Sequence, residues 1–148
     1  MMNKSFELDI NDSCWEDAYG LVPNVAGIYF VYACFQGPDG RWFSGDLVYI
    51  GEASDLKSRI SQHANASDGT DNLHKGLLAI YKKLWYTYAF FDGSESDRKL
   101  CEAALIYKHK PILNVQNKDR FCSHADVGIV LRGETRKLVT NYVLPGDK

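Results

Sequence analysis

A chain of 148 residues, 45% hydrophobic and 24% charged, can bury one substantial core but not two, which excludes disorder and points to a single domain over 1–148. The net charge of −2 excludes a uniformly basic binder of polyanions, yet it hides a split: residues 1–55 set Lys4 and Arg41 against nine acids, whereas 56–148 carry 15 bases against 10 acids. No apolar run reaches about 18 residues, no apolar leader follows Met1, and the four cysteines form no C-x-x-C pair; the expectation is a cytoplasmic protein with reduced thiols and no membrane association.

The β-branched and aromatic run Gly27 to Phe35 lies between Pro23 and the turn-forming Gly37-Pro38-Asp39-Gly40, and predicts a strand. Leu47 to Gly51 predicts a second strand, antiparallel to the first, after an excursion carrying Trp42 and Phe43. Ser54 or Asp55 can cap a short helix on which Leu56 and Ile60 recur, and residues 72–83 have helical spacing too. Leu84 to Phe91 is strongly β-prone, with alternating aromatics of the kind that fill cores. Ser94 with Asp97 starts an amphipathic helix that must end near Lys110 because Pro111 follows. Beyond Asp126, Val127 to Leu131 and Leu138 to Val143 read as a hairpin around Gly133. The fold class is α/β, with a small central antiparallel sheet of about three strands flanked by helices.

Four signals occur in order: Gly27-Ile28-Tyr29; Tyr49-Ile50-Gly51; Asp55-Leu56 leading to Arg59 and His63; and Glu102 followed by Pro111-Ile112-Leu113-Asn114. Together they resemble the GIY-YIG endonuclease family over about residues 23–117, leaving N- and C-terminal extensions. The separation of Tyr29 from Tyr49 exceeds the family's usual tight hairpin and implies an insertion at 36–46, which a loop can absorb at little free-energy cost.

The resemblance implies a metal-dependent endonuclease that hydrolyses phosphodiester bonds in DNA rather than RNA. Such chemistry needs a metal ion, a base for the attacking water and positive charge for the transition state. Glu102 is implied as the single ligand of Mg²⁺ or Mn²⁺, and a helix-borne carboxylate suits a hard cation that keeps water in its shell. Arg59 offers a planar fork of donors for the scissile phosphate. Tyr29 and Tyr49, on neighbouring strands, supply a general base and a phosphate-positioning group, with Tyr49 favoured as the base. An unperturbed phenol is a poor base, and the metal and Arg59 are expected to favour its phenolate. His63, one turn beyond Arg59, is a further catalytic candidate. Lys57, Gly27, Gly51 and Asn114 are expected in binding and support, the glycines by close backbone approach. Glu52 follows the second motif, but strand alternation turns it away from Tyr49, so it is not counted as a ligand. Cys122, His124 and His109 do not match a zinc spacing. The rival readings are a non-cleaving nucleic-acid or protein interaction module, and a nuclease subunit that needs a partner protein or an oligomer for targeting.

Overall fold

The computed structural model describes residues 3–15, 22–64, 83–114 and 116–147. Its strands are β1 (Lys4–Trp15), β2 (Gly27–Gln36), β3 (Trp42–Ala53), β4 (Lys83–Phe90), β5 (Val127–Gly133) and β6 (Asn141–Leu144); its helices are α1 (Leu56–Ala64) and α2 (Glu95–His109). The six strands form one mixed sheet in the order β3-β2-β4-β1-β5-β6, antiparallel throughout except for the parallel pair β1–β5. The α/β class stands, but the sheet has twice the expected number of strands. The additional ones are β1, to which the sequence reading assigned no element, and the C-terminal hairpin, which joins the same sheet. In β1, Phe6, Leu8 and Ile10 alternate with Glu7, Asp9 and Asn11, the period of a strand with one face in the core.

Both faces of the sheet are covered, which explains why Gly27 to Cys34 is apolar without alternation and buried throughout. On one face, Ile28, Phe30, Tyr32 and Ile50 pack with Leu8, Ile10 and Ile129 against Cys101, Ala104 and Leu105 of α2. On the other, Tyr29, Val31, Val48 and Tyr86 pack against Leu56 and Ile60 of α1. The aromatics of β4 serve packing, as expected: Tyr86 is buried, and Trp85 and Tyr88 pack partly buried against the two cores, although Phe90 stands 53% exposed at the strand's end. The insertion is built as an extension of the β2–β3 ribbon: Phe35 pairs with Phe43 and Gln36 with Trp42, and only the intervening turn leaves the ladder. Phe35 and Phe43 stack there with ring centroids 5.6 Å apart.

The helix ends obey local chemistry. Asp55 caps α1 by accepting from Ser58 N at 3.2 Å, and Asn24 Nδ2 holds the same carboxylate at 3.1 Å. Ser94 Oγ accepts from Asp97 N at 3.1 Å at the start of α2, and Lys110 closes it in the left-handed region (φ 49°) just before Pro111. The helix expected over 72–83 lies outside the described residues except at Lys83, which begins β4 instead.

Candidate active site

The register of β2 on β3 sets Tyr29 opposite Gly51 and Val31 opposite Tyr49, so both tyrosines lie on the α1 face, two ladder positions apart. Their rings meet at 6.1 Å between centroids. Gly51 makes this possible: a Cβ there would lie 2.3 Å from Tyr29 Cζ, so the ring occupies the space that any other residue would fill. Gly27 is equally constrained, since its Cβ would lie 2.2 Å from the Ala89 carbonyl oxygen and 2.6 Å from Leu56 Cδ1. The tripeptide glycines are thus packing requirements of the tyrosine pair and of α1.

Arg59, on α1, hydrogen-bonds to both phenols. Asp55, the partner that a surface arginine would take, is occupied by the helix cap and by Asn24, which hold its carboxyl below the usual range. Glu102 comes from the opposite face of the sheet on α2. The two faces meet because β3 is an edge strand, and around that edge a cavity of about 400 Å³ is lined by Tyr49, Arg59, Glu102, Leu113, Asn114 and Gln116, among others. Asn114 closes the edge in the manner of another strand: its Oδ1 accepts from Ile50 N at 2.9 Å and its Nδ2 donates to Ile50 O at 2.8 Å, while Leu113 N donates to Val48 O at 3.0 Å. The side chain is 6% exposed.

Burial governs the electrostatics. It pushes the Tyr29 phenol well above its ordinary value, reinforced by Tyr49 and opposed by Arg59. Tyr49 is raised by burial and then by the Glu102 charge, again against Arg59. Arg59 favours the phenolate at both tyrosines, as expected of it, but without an ion beside it desolvation of the phenols outweighs one guanidinium. Glu102 is pushed up to about 7 by burial and by Glu52, against the Glu52 backbone, Lys99 and Arg98. Among the described residues Glu102 forms no ion pair, and such a half-buried carboxylate suits a cation: Mg²⁺ is commonly held by one or two carboxylates with water and phosphate completing its shell. The donor set of one carboxylate opening onto a polar cavity fits such an ion. No group of three or more acidic, histidine or cysteine side chains that could hold a metal occurs among the described residues.

Tyr49, Arg59, Glu102 and Asn114 thus converge on one cavity, with Tyr29 directly behind it. Lys57 lies in the first turn of α1, two residues before Arg59; it does not line the cavity. His63 falls on α1, but its side chain lies outside the described residues. His109 is engaged elsewhere, between Leu105 O and Val139 N, and Cys122 is an exposed free thiol. Glu52 faces away from Tyr49 as alternation required, yet this turns it towards α2, where Arg98 Nε meets its Oε2 at 2.6 Å. The sequence reading missed this pair, although Arg98 precedes Glu102 by one helical turn. Gln116 and Asn117 also line the cavity and were not singled out; Asn117 is left-handed (φ 65°), a conformation asparagine tolerates.

No family model matches the chain. It is similar to UvrABC system protein C of Symbiobacterium thermophilum, 29% identical over 104 residues, which are 70% of this chain and 15% of that protein. The protein of the same description from Fervidobacterium nodosum is 30% identical over 98 residues, 66% of this chain and 15% of its own length. The chain therefore spans under a sixth of these relatives. Among solved structures it is similar to the GIY-YIG N-terminal endonuclease domain of UvrC from Thermotoga maritima bound to its catalytic divalent cation, magnesium: 22% identity, 67% of this chain and 93% of that one, TM-score 0.45.

Proposed function

Because the chain belongs to the GIY-YIG family by its ordered motifs and its kinship with UvrC proteins, we propose that it is a divalent-metal-dependent endonuclease hydrolysing phosphodiester bonds in DNA. The observation that carries this reading is the convergence of Tyr49, Arg59 and Glu102 on one cavity from a strand and two helices on opposite faces of the sheet.

Glu102 would hold the ion, Mg²⁺ or Mn²⁺, and Asn114 fixes the β3 edge that carries Tyr49. A bound ion would supply Lewis acidity towards the phosphate and the further positive charge that Arg59 alone does not provide. Tyr49, which lines the cavity, orients the attacking water and takes its proton; Tyr29, buried at 1% exposure, hydrogen-bonds Tyr49 from behind and does not reach the substrate. Arg59 binds the scissile phosphate, its charge-assisted bonds strengthening as negative charge develops on the oxygens. His63 assists from the same helix, Lys57 adds positive charge to the approach, and Gly27 and Gly51 admit the close packing. Among the described residues no helix is long and apolar enough to cross a membrane, and a cytoplasmic location suits the chemistry. Targeting comes from a partner protein or an oligomer, since the net charge of −2 gives little general attraction to DNA.

The test is cleavage of labelled plasmid, single-stranded and branched DNA, and RNA, with Mg²⁺ or Mn²⁺. Cutting that stops with EDTA and in Glu102→Ala is the expected result. Wild-type protein that cuts none of these substrates would overturn the reading of a nuclease active by itself, in favour of a partner-dependent subunit or a binding module that keeps the fold.

A further inference from the structure

Two carboxylates and one guanidinium meet where α2 crosses β3. Arg98 and Glu102 stand one turn apart on α2, so their side chains share a helix face, and Glu52 reaches the same place from the strand. Arg98 is 6% exposed, and both side chains of the ion pair are largely withdrawn from water, at 8% for Arg98 and 17% for Glu52. A buried guanidinium must find an acceptor, because an unpaired charge there costs several kcal/mol. Two acceptors lie within its field, Glu52 and Glu102. If Arg98 paired with Glu102, its donors would occupy the oxygens that a cation needs. In the structure its short bond goes to Glu52 instead. The sum over the three groups is then one negative charge, left on the carboxylate that lines the cavity.

We propose that Glu52 is a positioning residue which sequesters Arg98 and thereby keeps the Glu102 carboxylate open to a divalent cation. The proposal rests on the metal role assigned to Glu102 above. It differs from a purely structural ion pair in one respect: what harms the site is a released Arg98, so removing the arginine as well repairs it.

The experiment measures Mg²⁺ affinity by calorimetry and by the Mg²⁺-dependent rise in Tm, in wild type, Glu52→Gln, Arg98→Met and the double variant Glu52→Gln/Arg98→Met. Glu52→Gln should weaken Mg²⁺ binding about 10- to 100-fold, the range seen when groups behind a metal ligand are removed. The double variant should return to within about threefold of wild type, and Arg98→Met alone should bind at least as tightly as wild type. Unchanged affinity in Glu52→Gln, or a double variant no better than that single one, would sink the proposal. Should Glu52→Gln fail to fold, a tenfold loss of affinity in Arg98→Met overturns it equally. Wild type that binds no Mg²⁺ removes both the proposal and the metal reading beneath it, whereas wild type that binds while Glu52→Gln binds equally well removes the proposal alone.

Discussion

The two edges of the sheet solve the same problem at different expense. An edge strand offers unpaired backbone groups to any passing strand. At one edge, β6 is four residues long, Val143 stands 64% exposed, and the neighbouring Glu7–Arg132 pair is more than half exposed at 3.4 Å. Shortness and solvation suffice there. At the other edge, β3 has twelve residues and is closed by Asn114, while Tyr49, Glu102, Glu52 and Arg98 sit half-buried or buried around it. Charge and phenol held out of water at one edge, and left in water at the other, mark where the chain trades stability for chemistry.

The largest effect on stability should follow Asn114→Ala. It strands the N–H and C=O of Ile50 at a covered edge, and with each orphaned group costing about 1–3 kcal/mol the loss should be about 2–6 kcal/mol, read by urea unfolding. A loss under about 1 kcal/mol would mean that the β3 edge is no more demanding than the β6 edge. Gly51→Ala comes next: the added methyl displaces the Tyr29 ring, costing about 1–3 kcal/mol as an overpacked core and at least tenfold in cleavage, and retention of full activity would show that the tyrosine pair tolerates misplacement.

Glu102→Gln should stabilise the metal-free protein. A folded pKa raised to about 7 from 4.5 means that the native state holds a proton which the unfolded chain releases. That stabilising protonation is complete below about 4.5 and is lost as pH rises through about 7. The variant should therefore match wild type near pH 4 and exceed it at pH 8 by about 1–3 kcal/mol, discounted for solvent at the cavity mouth. Thermal melts in EDTA across that range decide it, and equal Tm at pH 8 would remove the electrostatic cost assigned to this edge. The smallest effect belongs to Arg132→Ala, within about 0.5 kcal/mol, because an exposed pair contributes little.

Local signals in the sequence were easy to read where the chain itself enforces them. Ser94 and Pro111 bracket α2, the turn at Gly37 to Gly40 folds β2 back on β3, and Asp55 starts α1. Tyr49, Arg59 and Glu102 could be named as candidates, but not the reason they meet, because β3 being an edge depends on the order of all six strands. The same non-locality hid Arg98: alternation correctly turned Glu52 from Tyr49, but what lay on the far side was a helix more than forty residues away in sequence. β1 was missed although Phe6, Leu8 and Ile10 alternate, since its partners on both sides come later in the chain. The direction of Arg59's effect on the phenols was legible, but not the larger effect of their burial, which no residue pattern prints.

The parallel pairing of β1 with β5 sets residue 4 beside residue 127. A ribosome delivers β1 long before its second neighbour exists, and closure of so large a loop carries most of the entropic cost of contact order. The antiparallel unit β3-β2-β4, with its short connection between β2 and β3, can assemble while β1 still lacks β5. Refolding should then show the tyrosine pair gaining its environment ahead of the final, slow consolidation of the sheet, so that an intermediate with a formed phenol cluster and an unfinished far edge precedes the native state.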